Sequence, residues 1–265
     1  MYYLFRGRDS LENRLRNKFL FIFLDYDGTL APITKAPNKA SISWATKSLL
    51  RKLSQNPQCK LAIISGRALR DVKKRAGLKN IIYIGNHGLE IDSPQLKFSS
   101  PVSLIYKQAL KRIKEELNKK TSSIKGVLVE DKGLSLSLHF RLVHANKRAL
   151  VKAIFHEVVL SDKIKGIIKI KPGKMVLEVR PMVNWDKGKV AVWLLARQQF
   201  ASAGKQVLPV YIGDDLTDED AFRALKNKGI TILVGQAKAS HAQYYLKDIN
   251  EVVEFLRIIS KLRNM

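Results

Sequence analysis

Acidic residues follow two apolar runs of this chain, and they are the residues best placed to do chemistry. Asp25 and Asp27 come directly after the apolar residues 19–24. Asp214 and Asp215 follow a second apolar run near the other end of the chain. A short apolar run that ends at a carboxylate is typical of a buried parallel strand that opens into a loop. Because ligands bind outside the carboxyl ends of such strands, we expect these acids to line one site.

Two interpretations of these acids are open from the residues alone. An Asp near a Gly is most often a cap or an Asx turn, and the acids at 218–220 suit the positive start of a helix. Neither use explains why Asp214 and Asp215 stand at a strand end, as Asp25 does. Close carboxylates repel unless a cation or a proton lies between them, and a hard cation such as Mg²⁺ requires such clusters. We therefore predict a magnesium site formed by Asp25, Asp27, Asp214 and Asp215.

Composition limits the class of protein. The chain has 265 residues, of which 46% are hydrophobic, enough for one large or two small ordered domains. Cys59 is the one cysteine, so no intrachain disulfide can form, and a cytoplasmic location is expected. The basic N-terminal residues do not resemble a signal peptide, and no apolar run approaches the ~20 residues that span a bilayer. No membrane partner is expected.

The net charge of +25 raises the question of nucleic-acid binding. Lys and Arg are spread along the whole chain, and their clusters lie on probable helices, where a solvated face is the usual explanation. Neither a zinc-finger spacing nor an aromatic RNA-binding signature is found. We expect no dedicated nucleic-acid binding, only weak adhesion at low salt. A positive field would also favour a small phosphorylated substrate.

Strands alternate with helices at both ends of the chain, which predicts an α/β fold with a parallel sheet. The middle of the chain has a different pattern and predicts a small α+β insert at residues 102–182, leaving 1–101 and 183–265 as the main domain. The elements predicted outside the insert, after the first strand, are a helix at 43–54, strands at 60–64 and 80–84, and a helix at 187–203. Those predicted within it are helices at 102–120 and 146–160, strands at 126–130 and 134–140, and a hairpin of 167–171 with 175–179 turned at Pro172 and Gly173.

Four motifs in this order resemble the haloacid dehalogenase superfamily of phosphohydrolases. They are the DYDGT sequence from Asp25, the strand-end Ser65, Lys187 before a helix, and the GDDLTDED sequence from Gly213. The resemblance covers nearly the whole chain. It implies a doubly wound, Rossmann-like parallel core, with the insert acting as a cap domain.

The resemblance also implies catalytic roles. Asp25 would be the nucleophile that takes the phosphoryl group, and Asp27 would protonate the leaving sugar oxygen and then activate water. Ser65 would donate a hydrogen bond to a phosphoryl oxygen, and Lys187 would neutralise the phosphate and the nucleophile. Taken alone, Ser65 is more often a helix cap and Lys187 a solvated lysine.

The implied metal site includes residues from both ends of the chain. Asp25 and the backbone carbonyl of Asp27 would bind Mg²⁺, and Asp214 would be the second metal carboxylate. Asp215 and Asp218 would hold metal-bound waters or Lys187.

Within the superfamily, the chain is most similar to the trehalose-6-phosphate phosphatases. This likeness rests on the sequences SGR from Ser65, HG from His87, EDKG from Glu130, LHFR ending at Arg141, GKMVLEVRP containing Lys174 and Glu178, and NWDKGK containing Lys187. It implies that the sugar is bound by Glu130, Arg141, Lys174 and Glu178 of the cap, and by Gly66, Arg67 and His87 of the core.

Two reservations apply to the sugar-binding residues. The alternative for Glu130 and Arg141 is a cross-strand ion pair. Asn86 stands before His87, where relatives often have an acid, so the core departs from the family pattern next to its expected contact with the sugar.

The expected function is Mg²⁺-dependent hydrolysis of trehalose-6-phosphate in trehalose biosynthesis. Alternatives are a related phosphatase acting on sucrose-phosphate, glucosylglycerol-phosphate or mannosyl-3-phosphoglycerate, and a noncatalytic binding module with the same fold. The expected partner is a small sugar phosphate. The sequence leaves open the oligomeric state and an association with a trehalose-phosphate synthase.

Overall fold

The apolar run before Asp25 forms a strand that is buried on both faces. Leu20, Ile22 and Leu24 pack into one hydrophobic cluster, while Phe21 and Phe23 pack into another on the opposite face. Side chains of a strand alternate between its faces, so an uninterrupted apolar run indicates a sheet covered on both sides. This strand therefore lies inside a layered α/β unit.

A computed structural model describes residues 1–34, 40–160, 166–202, 206–236 and 239–263. The chain divides into two compact units, one formed by Met1–Ser99 with Trp185–Met265 and the other by Ser100–Asn184. The predicted boundaries were at residues 102 and 182. None of the described helices combines the length and apolar character needed to cross a membrane.

Strands and helices alternate along much of the described chain. The strands are β1 (Tyr2–Tyr3), β2 (Phe19–Asp25), β3 (Cys59–Ile64), β4 (Ile82–Gly85), β5 (Glu90–Ser93), β6 (Leu96–Ser99), β7 (Leu128–Asp131), β8 (Leu136–His139), β9 (Ile168–Gly173), β10 (Val176–Pro181), β11 (Val207–Gly213), β12 (Ile230–Val234) and β13 (Tyr244–Leu246). The helices are α1 (Arg8–Leu15), α2 (Trp44–Gln55), α3 (Leu69–Ala76), α4 (Leu104–Thr121), α5 (Arg148–Leu160), α6 (Lys187–Ala201), α7 (Glu219–Leu225) and α8 (Ile249–Leu262).

The first unit is built on a sheet with β2 at its centre. Among the described residues this sheet has nine strands, in the order β1-β13-β12-β11-β2-β3-β4-β5-β6. Neighbouring strands are parallel from β1 through β4, and the β5–β6 hairpin adds antiparallel strands at one edge. Helices α1, α2, α3 and α8 contribute to the core on one face, and α6 and α7 to the core on the other. The predicted doubly wound α/β class is confirmed.

The second unit pairs an antiparallel sheet with two helices. Its strand order is β7-β8-β10-β9. Buried residues of α4 and α5, among them Ile113 and Phe155, form one cluster with Leu138 of β8 and Val179 of β10. One face of the sheet is therefore apolar, and the other face is left for polar side chains.

The hairpin turn in this unit was predicted wrongly. Val176 pairs with Gly173, so the turn consists of Lys174 and Met175, and Met175 has a φ of +66°. Pro172 lies inside β9. A proline is tolerated there because β9 is an edge strand, where a missing N–H need not break the sheet.

Other element boundaries shift by a few residues. The third predicted strand begins at Ile82 rather than at residue 80, because Asn80 adopts a φ of +60°. The helix that begins at Lys187 reaches Ala201, and its predicted end at residue 203 lies outside the described residues. Strands β1, β5, β6, β12 and β13 and helices α1 and α8 were not predicted.

Candidate active site

The strand order brings the predicted site residues of the first unit to one edge of the sheet. Strands β11, β2, β3 and β4 are consecutive neighbours, and all four are parallel. At their carboxyl ends stand, in the same order, Asp214, Asp25, Ser65 and Asn86. Residues almost two hundred positions apart in sequence are therefore adjacent in the fold.

Three carboxylates meet at this edge, and they differ from the predicted set. Asp25, Asp214 and Asp218 each offer an oxygen atom, and these atoms lie within 4.8 Å of one another. Asp215 was expected in this group, but its Oδ1 accepts a hydrogen bond from the Leu216 N–H at 2.7 Å and caps the turn that follows β11. The carboxylate of Asp27 is paired with an arginine.

Asp218 is fully buried, and four hydrogen bonds fix its carboxylate. Oδ1 accepts from Lys187 Nζ at 2.8 Å and from the Tyr211 hydroxyl at 2.7 Å. Oδ2 accepts from the backbone N–H groups of Asp214 and Asp215 at 3.1 and 3.0 Å. A carboxylate has about four lone-pair sites, so these bonds use its whole capacity. Asp218 orders the loop and the lysine, which leaves Asp25 and Asp214 as the carboxylates able to bind a metal directly.

Lys187 links two of the acids from the start of α6. Its Nζ donates to Asp25 Oδ1 at 2.7 Å as well as to Asp218, and its side chain is 3% exposed. Burial alone would lower the pKa of Lys187, but the attraction of Asp218 and Asp25 is stronger and raises it. The ammonium group therefore stays charged in the neutral pH range.

Asp25 is held in a strongly desolvated position. Burial raises the pKa of Asp25 well above its usual range; Lys187 opposes this rise, and Asp218 and Asp214 add to it. A divalent cation between Asp25 and Asp214 would lower that pKa again by favouring the ionised form. An all-oxygen set of ligands suits a hard cation such as Mg²⁺.

Gly28 allows the loop after β2 to approach Asp214. Its φ is +85°, and a Cβ atom built on it would lie 2.2 Å from Asp214 Oδ2. A larger residue would therefore be strained and would also displace the carboxylate. Gly28 of the DYDGT sequence therefore allows Asp214 to lie close to the loop that follows Asp25.

Arg67 holds the second acid of the DYDGT sequence. Its Nε and one terminal nitrogen donate to the two carboxylate oxygens of Asp27 at 2.7 and 2.6 Å. The other terminal nitrogen donates to Asp71 at 2.8 Å, and Arg75 donates to the same carboxylate. Burial would lower the pKa of Arg67, but the bonds to Asp27 and Asp71 prevail and raise it. A two-point pair of this kind fixes both position and orientation.

The loops after β3 and β4 pack against each other. Ser65 Oγ accepts a hydrogen bond from the Arg67 N–H at 3.1 Å within the loop, and it does not cap α3, whose N-cap residue is Ala68. A Cβ atom on Gly66 would lie 2.4 Å from the His87 ring, so only glycine fits beneath the imidazole. Buried Asn86 donates to Glu90 at 2.5 Å. An acid at position 86 would instead repel Glu90, which accounts for the asparagine.

In the second unit, a buried carboxylate gathers several donors. Glu178 of β10 accepts from Lys132 Nζ at 2.8 Å, from the Ser135 hydroxyl at 3.2 Å and from Arg180 Nε at 2.7 Å. Glu178 and Lys132 have side chains only 6% and 9% exposed. Two cations, Lys132 and Arg180, therefore donate to the same acid.

The other residues expected to bind sugar in this unit have contacts of their own. Glu130 pairs with His139 Nε2 at 2.7 Å, across the strand pair β7–β8. Arg141 donates to the backbone carbonyl of Lys174, a residue of the hairpin turn, at 2.8 Å.

Sequence reasoning missed three residues that the structure places at these sites. Lys132, just after β7, and Arg180 of β10 belong to motifs quoted above, and each stands two positions after a glutamate, Glu130 or Glu178, a spacing that could have revealed them. Tyr211 stands two residues before the end of β11. The apolar residues around it in the sequence give no indication that its hydroxyl is a hydrogen-bond donor at the site. Burial, reinforced by Asp218, raises the pKa of Tyr211, so it remains a donor.

Comparison with curated proteins gives close matches over most of the chain. A probable trehalose-phosphate phosphatase 4 from Oryza sativa subsp. japonica is 37% identical over 263 residues, which cover 94% of this chain and 68% of the relative. Trehalose-phosphate phosphatase B from Arabidopsis thaliana is 36% identical over 260 residues, with the same coverage of 94% and 68%.

Solved structures give the same result. The C-terminal domain of the C. albicans trehalose-6-phosphate phosphatase superposes with a TM-score of 0.80 at 25% identity, covering 98% of this chain and 99% of that chain. A trehalose-6-phosphate phosphatase related protein has a TM-score of 0.77 at 26% identity, covering 91% and 97%. The family model described as trehalose-phosphatase matches residues 23–250. The chain therefore belongs to the trehalose-phosphatase family of the haloacid dehalogenase superfamily, and it is a phosphoric monoester hydrolase.

Proposed function

We propose that this protein hydrolyses trehalose-6-phosphate to trehalose and inorganic phosphate. The observation that carries the proposal is the cluster of buried Asp25, Lys187 and Asp218 with partly buried Asp214 at the carboxyl ends of the strands. It provides an acid able to act as a nucleophile, a fixed cation and a pair of carboxylates for a metal. Membership of the trehalose-phosphatase family supports the choice of substrate.

The first step forms a covalent intermediate on Asp25. One carboxylate oxygen attacks phosphorus, a new O–P bond forms, and the bond between phosphorus and the sugar oxygen breaks. The sugar oxygen leaves with the bonding electron pair and takes up a proton. In the second step, water attacks the aspartyl-phosphate, which releases phosphate and restores the carboxylate.

Asp27 handles the proton in both steps. It gives its proton to the departing sugar oxygen, and the resulting carboxylate then removes a proton from the attacking water. Each Asp27 oxygen accepts one bond from Arg67, which orients the carboxyl group and leaves a second lone-pair site on each oxygen for the proton. A mobile Asp27 would lower the rate, because proton transfer requires Asp27 and the sugar oxygen or water to lie at hydrogen-bond distance.

Lys187 and Ser65 stabilise the charge on the phosphoryl group. The ammonium of Lys187 is already held at the nucleophile, so no reorganisation is needed when negative charge develops. Ser65 would donate its hydroxyl hydrogen to a phosphoryl oxygen while its lone pair keeps the bond from the Arg67 N–H. Asp218 acts through Lys187 rather than on the substrate.

The metal is proposed to be Mg²⁺, held by the carboxylates of Asp25 and Asp214 and the backbone carbonyl of Asp27. The close approach of Asp214 to Gly28 supports this set, because it brings the Asp214 carboxylate against the loop that follows Asp25. When bound, Mg²⁺ neutralises phosphoryl oxygens and orients the ester. Asp215 is proposed to hold a metal-bound water, beside its role as a cap.

Sugar recognition is proposed for polar residues of both units. Glu130, Arg141, Lys174 and Glu178 would bind sugar hydroxyls from the second unit, and Gly66, Arg67 and His87 from the first. The buried bonds of Glu178 to Lys132 and Arg180 support adding these two cations to the set. Directional hydrogen bonds allow a site to reject sugars that lack the matching hydroxyl.

The same proposal includes a cytoplasmic location, which rests on the sequence alone. An association with a trehalose-phosphate synthase is left open by the sequence. Preference for another sugar phosphate would indicate a related phosphatase, and absence of turnover would indicate a noncatalytic role.

Trapping the phosphoenzyme tests the proposed chemistry. The protein is mixed with trehalose-6-phosphate labelled in the phosphoryl group, quenched in acid and mapped by mass spectrometry. We expect the label on Asp25 and none on the Asp25→Asn variant, with turnover abolished by a chelator and restored by Mg²⁺. A label on serine or histidine, or full turnover in excess chelator, would overturn the mechanism.

A further inference from the structure

The amino ends of the central strands form a second edge of the sheet in the first unit, opposite the acidic cluster. Phe19 and Asp25 are the two ends of β2, and a rise of about 3.3 Å per residue separates them by about 20 Å. Strands β12, β11, β2 and β3 are parallel neighbours. The turns that precede them therefore lie side by side at this edge.

Hydrogen bonds connect these turns to one another and to the end of α8. Arg263, the residue after α8, donates to the backbone carbonyl of Lys18 before β2 at 2.7 Å and to Gln58 Oε1 before β3 at 3.2 Å. Arg14 of α1 donates to the backbone carbonyl of Gly229, just before β12, at 2.9 Å. The amino ends of β12, β2 and β3 therefore belong to one continuous surface.

This surface carries positive charge that no acid in its turns balances. No acid is found among the described residues of the turns, which are 16–18, 56–58, 206 and 226–229. Lys18 donates to the amide oxygen of Gln206, and Arg14 and Arg263 donate to carbonyl and amide oxygens, so the acceptors are neutral.

The cations of this surface are named here the basic edge. They are Arg14, Arg16, Lys18, Lys226, Lys228 and Arg263. Within the part of the chain that the structure describes, none of them forms an ion pair with an acid. Lysine and arginine are spread along the sequence, but the parallel order of the strands gathers these six at one place, as it gathers the acids at the other edge.

The side chains of the turns favour a nucleic-acid backbone over a protein or a membrane as the partner. Protein interfaces have an apolar core in which lysine is depleted, and peripheral membrane binding buries apolar side chains. The described residues of these turns expose no aromatic or large aliphatic side chain. Beside the cations they expose amides, namely Asn17, Gln58 and Asn227. Lysine, arginine and amide side chains are the groups that bind phosphate and sugar oxygens of nucleic acids.

We propose that the basic edge binds the phosphate backbone of a nucleic acid. Several cations then contact one polymer and release its counterions together, so binding is stronger than the adhesion expected from charge spread over the whole chain. Because the contacts are to phosphates, binding does not depend on the base sequence. The acidic cluster lies at the other end of β2, so a bound polymer leaves it accessible.

Fluorescence anisotropy of a labelled DNA duplex of about 20 base pairs measures binding by the full chain between about 50 and 200 mM NaCl. The test variant combines Arg16→Gln, Lys226→Gln and Lys228→Gln, whose side chains are exposed, so it should fold normally. We expect it to bind at least about tenfold more weakly at ~100 mM NaCl. The slope of log K against log salt should decrease by about 2 to 3, since each phosphate contact contributes about 0.9.

The matched control combines Lys107→Gln, Lys111→Gln and Lys119→Gln, exposed lysines of α4, and removes the same charge from the second unit. It should change the affinity for the duplex less than about threefold. The test variant should hydrolyse trehalose-6-phosphate at the unsubstituted rate, so this experiment is independent of the proposed function.

Three results would overturn the proposal. One is absence of binding by the unsubstituted chain at ~100 mM NaCl, where a set of phosphate contacts still supports binding. Another is equal affinity of the test and control variants, which would show that the net charge and not the basic edge attracts the duplex. The third is tighter binding to polyglutamate or to phosphatidylserine vesicles than to the duplex, which would indicate an acidic protein or a membrane as the partner.

Discussion

Arg67 binds both carboxylate oxygens of Asp27 through two of its nitrogens, at 2.7 and 2.6 Å. The arginine is 8% exposed, and its third nitrogen is held by Asp71. Residues forty positions apart thus form a chain of acid, base and acid that fixes the side chain beside the nucleophile. The sequence resemblance assigned Arg67 to the sugar, whereas its contacts in the first unit point to the positioning of Asp27.

The first prediction follows from the geometry of this pair. Arg67→Lys keeps the charge but cannot make the two-point contact, so Asp27 loses its fixed orientation. We expect kcat to fall about 10- to 100-fold, because small misplacements of reacting groups lower reaction rates by such factors. Steady-state kinetics on trehalose-6-phosphate and on p-nitrophenyl phosphate measure this fall.

The matched control is Arg70→Lys, an exposed arginine of α3 three residues after Arg67, which should keep full activity. Because Asp27 serves every substrate, both substrates should be affected alike. A loss confined to trehalose-6-phosphate would show that Arg67 reads the sugar instead.

The second prediction concerns Gly28. An alanine there would meet Asp214 at 2.2 Å and would adopt a φ of +85°. We expect kcat to fall and the Mg²⁺ concentration for half-maximal activity to rise at least about tenfold, because Asp214 must move. Metal titration of the purified variant is the measurement.

A control for backbone strain is Gly133→Ala, which has a similar φ of +82° but no atom within 4 Å of the added methyl group. Both variants should lose stability by about 1–2 kcal/mol from strain alone. Equal losses of activity in the two variants would show that the close approach of Asp214 does not explain the requirement for glycine at position 28.

The third prediction concerns the pH dependence of Asp71. Burial would raise the pKa of Asp71, but the bonds from Arg75 and Arg67 prevail and lower it. A depressed pKa in the folded state contributes stability at a pH above the unfolded value of about 3.9, and this stability is lost as the pH falls through the folded pKa. Asp71→Asn should therefore cost about 1 kcal/mol at pH 7 and progressively less below pH ~4.

Urea unfolding of both proteins at pH 7, 5, 4 and 3 measures this difference. Asp9→Asn, at an exposed position of α1, is the control and should change little at any pH. A difference between Asp71→Asn and the unsubstituted protein that stayed constant down to pH 3 would contradict the ionic origin of the stabilisation.

The fourth prediction separates sugar recognition from chemistry. Lys132→Met removes a cation bound to buried Glu178, and Lys174→Met removes a cation at the hairpin turn. Both should lower kcat/KM for trehalose-6-phosphate at least about tenfold, since binding energy of the remote sugar positions the ester. Activity on p-nitrophenyl phosphate should be largely kept.

Lys111→Met, an exposed lysine of α4, is the control for charge. Thermal unfolding is recorded for each variant, because a lysine beside a buried acid also supports the fold. Equal losses on both substrates would assign Lys132 and Lys174 to structure alone.

The central strands and the acidic edge could be predicted because their signal is local. A run buried on both faces leaves no polar position before Asp25, so the strand and its end are visible in the sequence. The parallel order then brings Asp214, Ser65 and Asp25 together without further information. Lys187 could be placed only through the motif order, since a lone lysine before a helix has no distinctive pattern.

The remaining features depend on tertiary contacts. Pro172 and Gly173 resemble a turn, but the position of β9 at the sheet edge lets the strand continue through them. Asp218 looked like one acid among several, and only the loop geometry shows that all its acceptor sites are used. The pairing of Arg67 with Asp27 was hidden for the same reason, because a fold and not a spacing brings them together.

The most direct test of the account is the release of phosphate from a panel of sugar phosphates in the presence of Mg²⁺. The panel contains trehalose-6-phosphate, sucrose-6-phosphate, glucosylglycerol-phosphate, mannosyl-3-phosphoglycerate and p-nitrophenyl phosphate, and the Asp25→Asn variant is the blank. We predict that kcat/KM for trehalose-6-phosphate exceeds every other value by at least about a hundredfold, a discrimination that hydrogen-bonding sites can supply. Preference for another sugar phosphate, or release by Asp25→Asn at the same rate, would contradict the account.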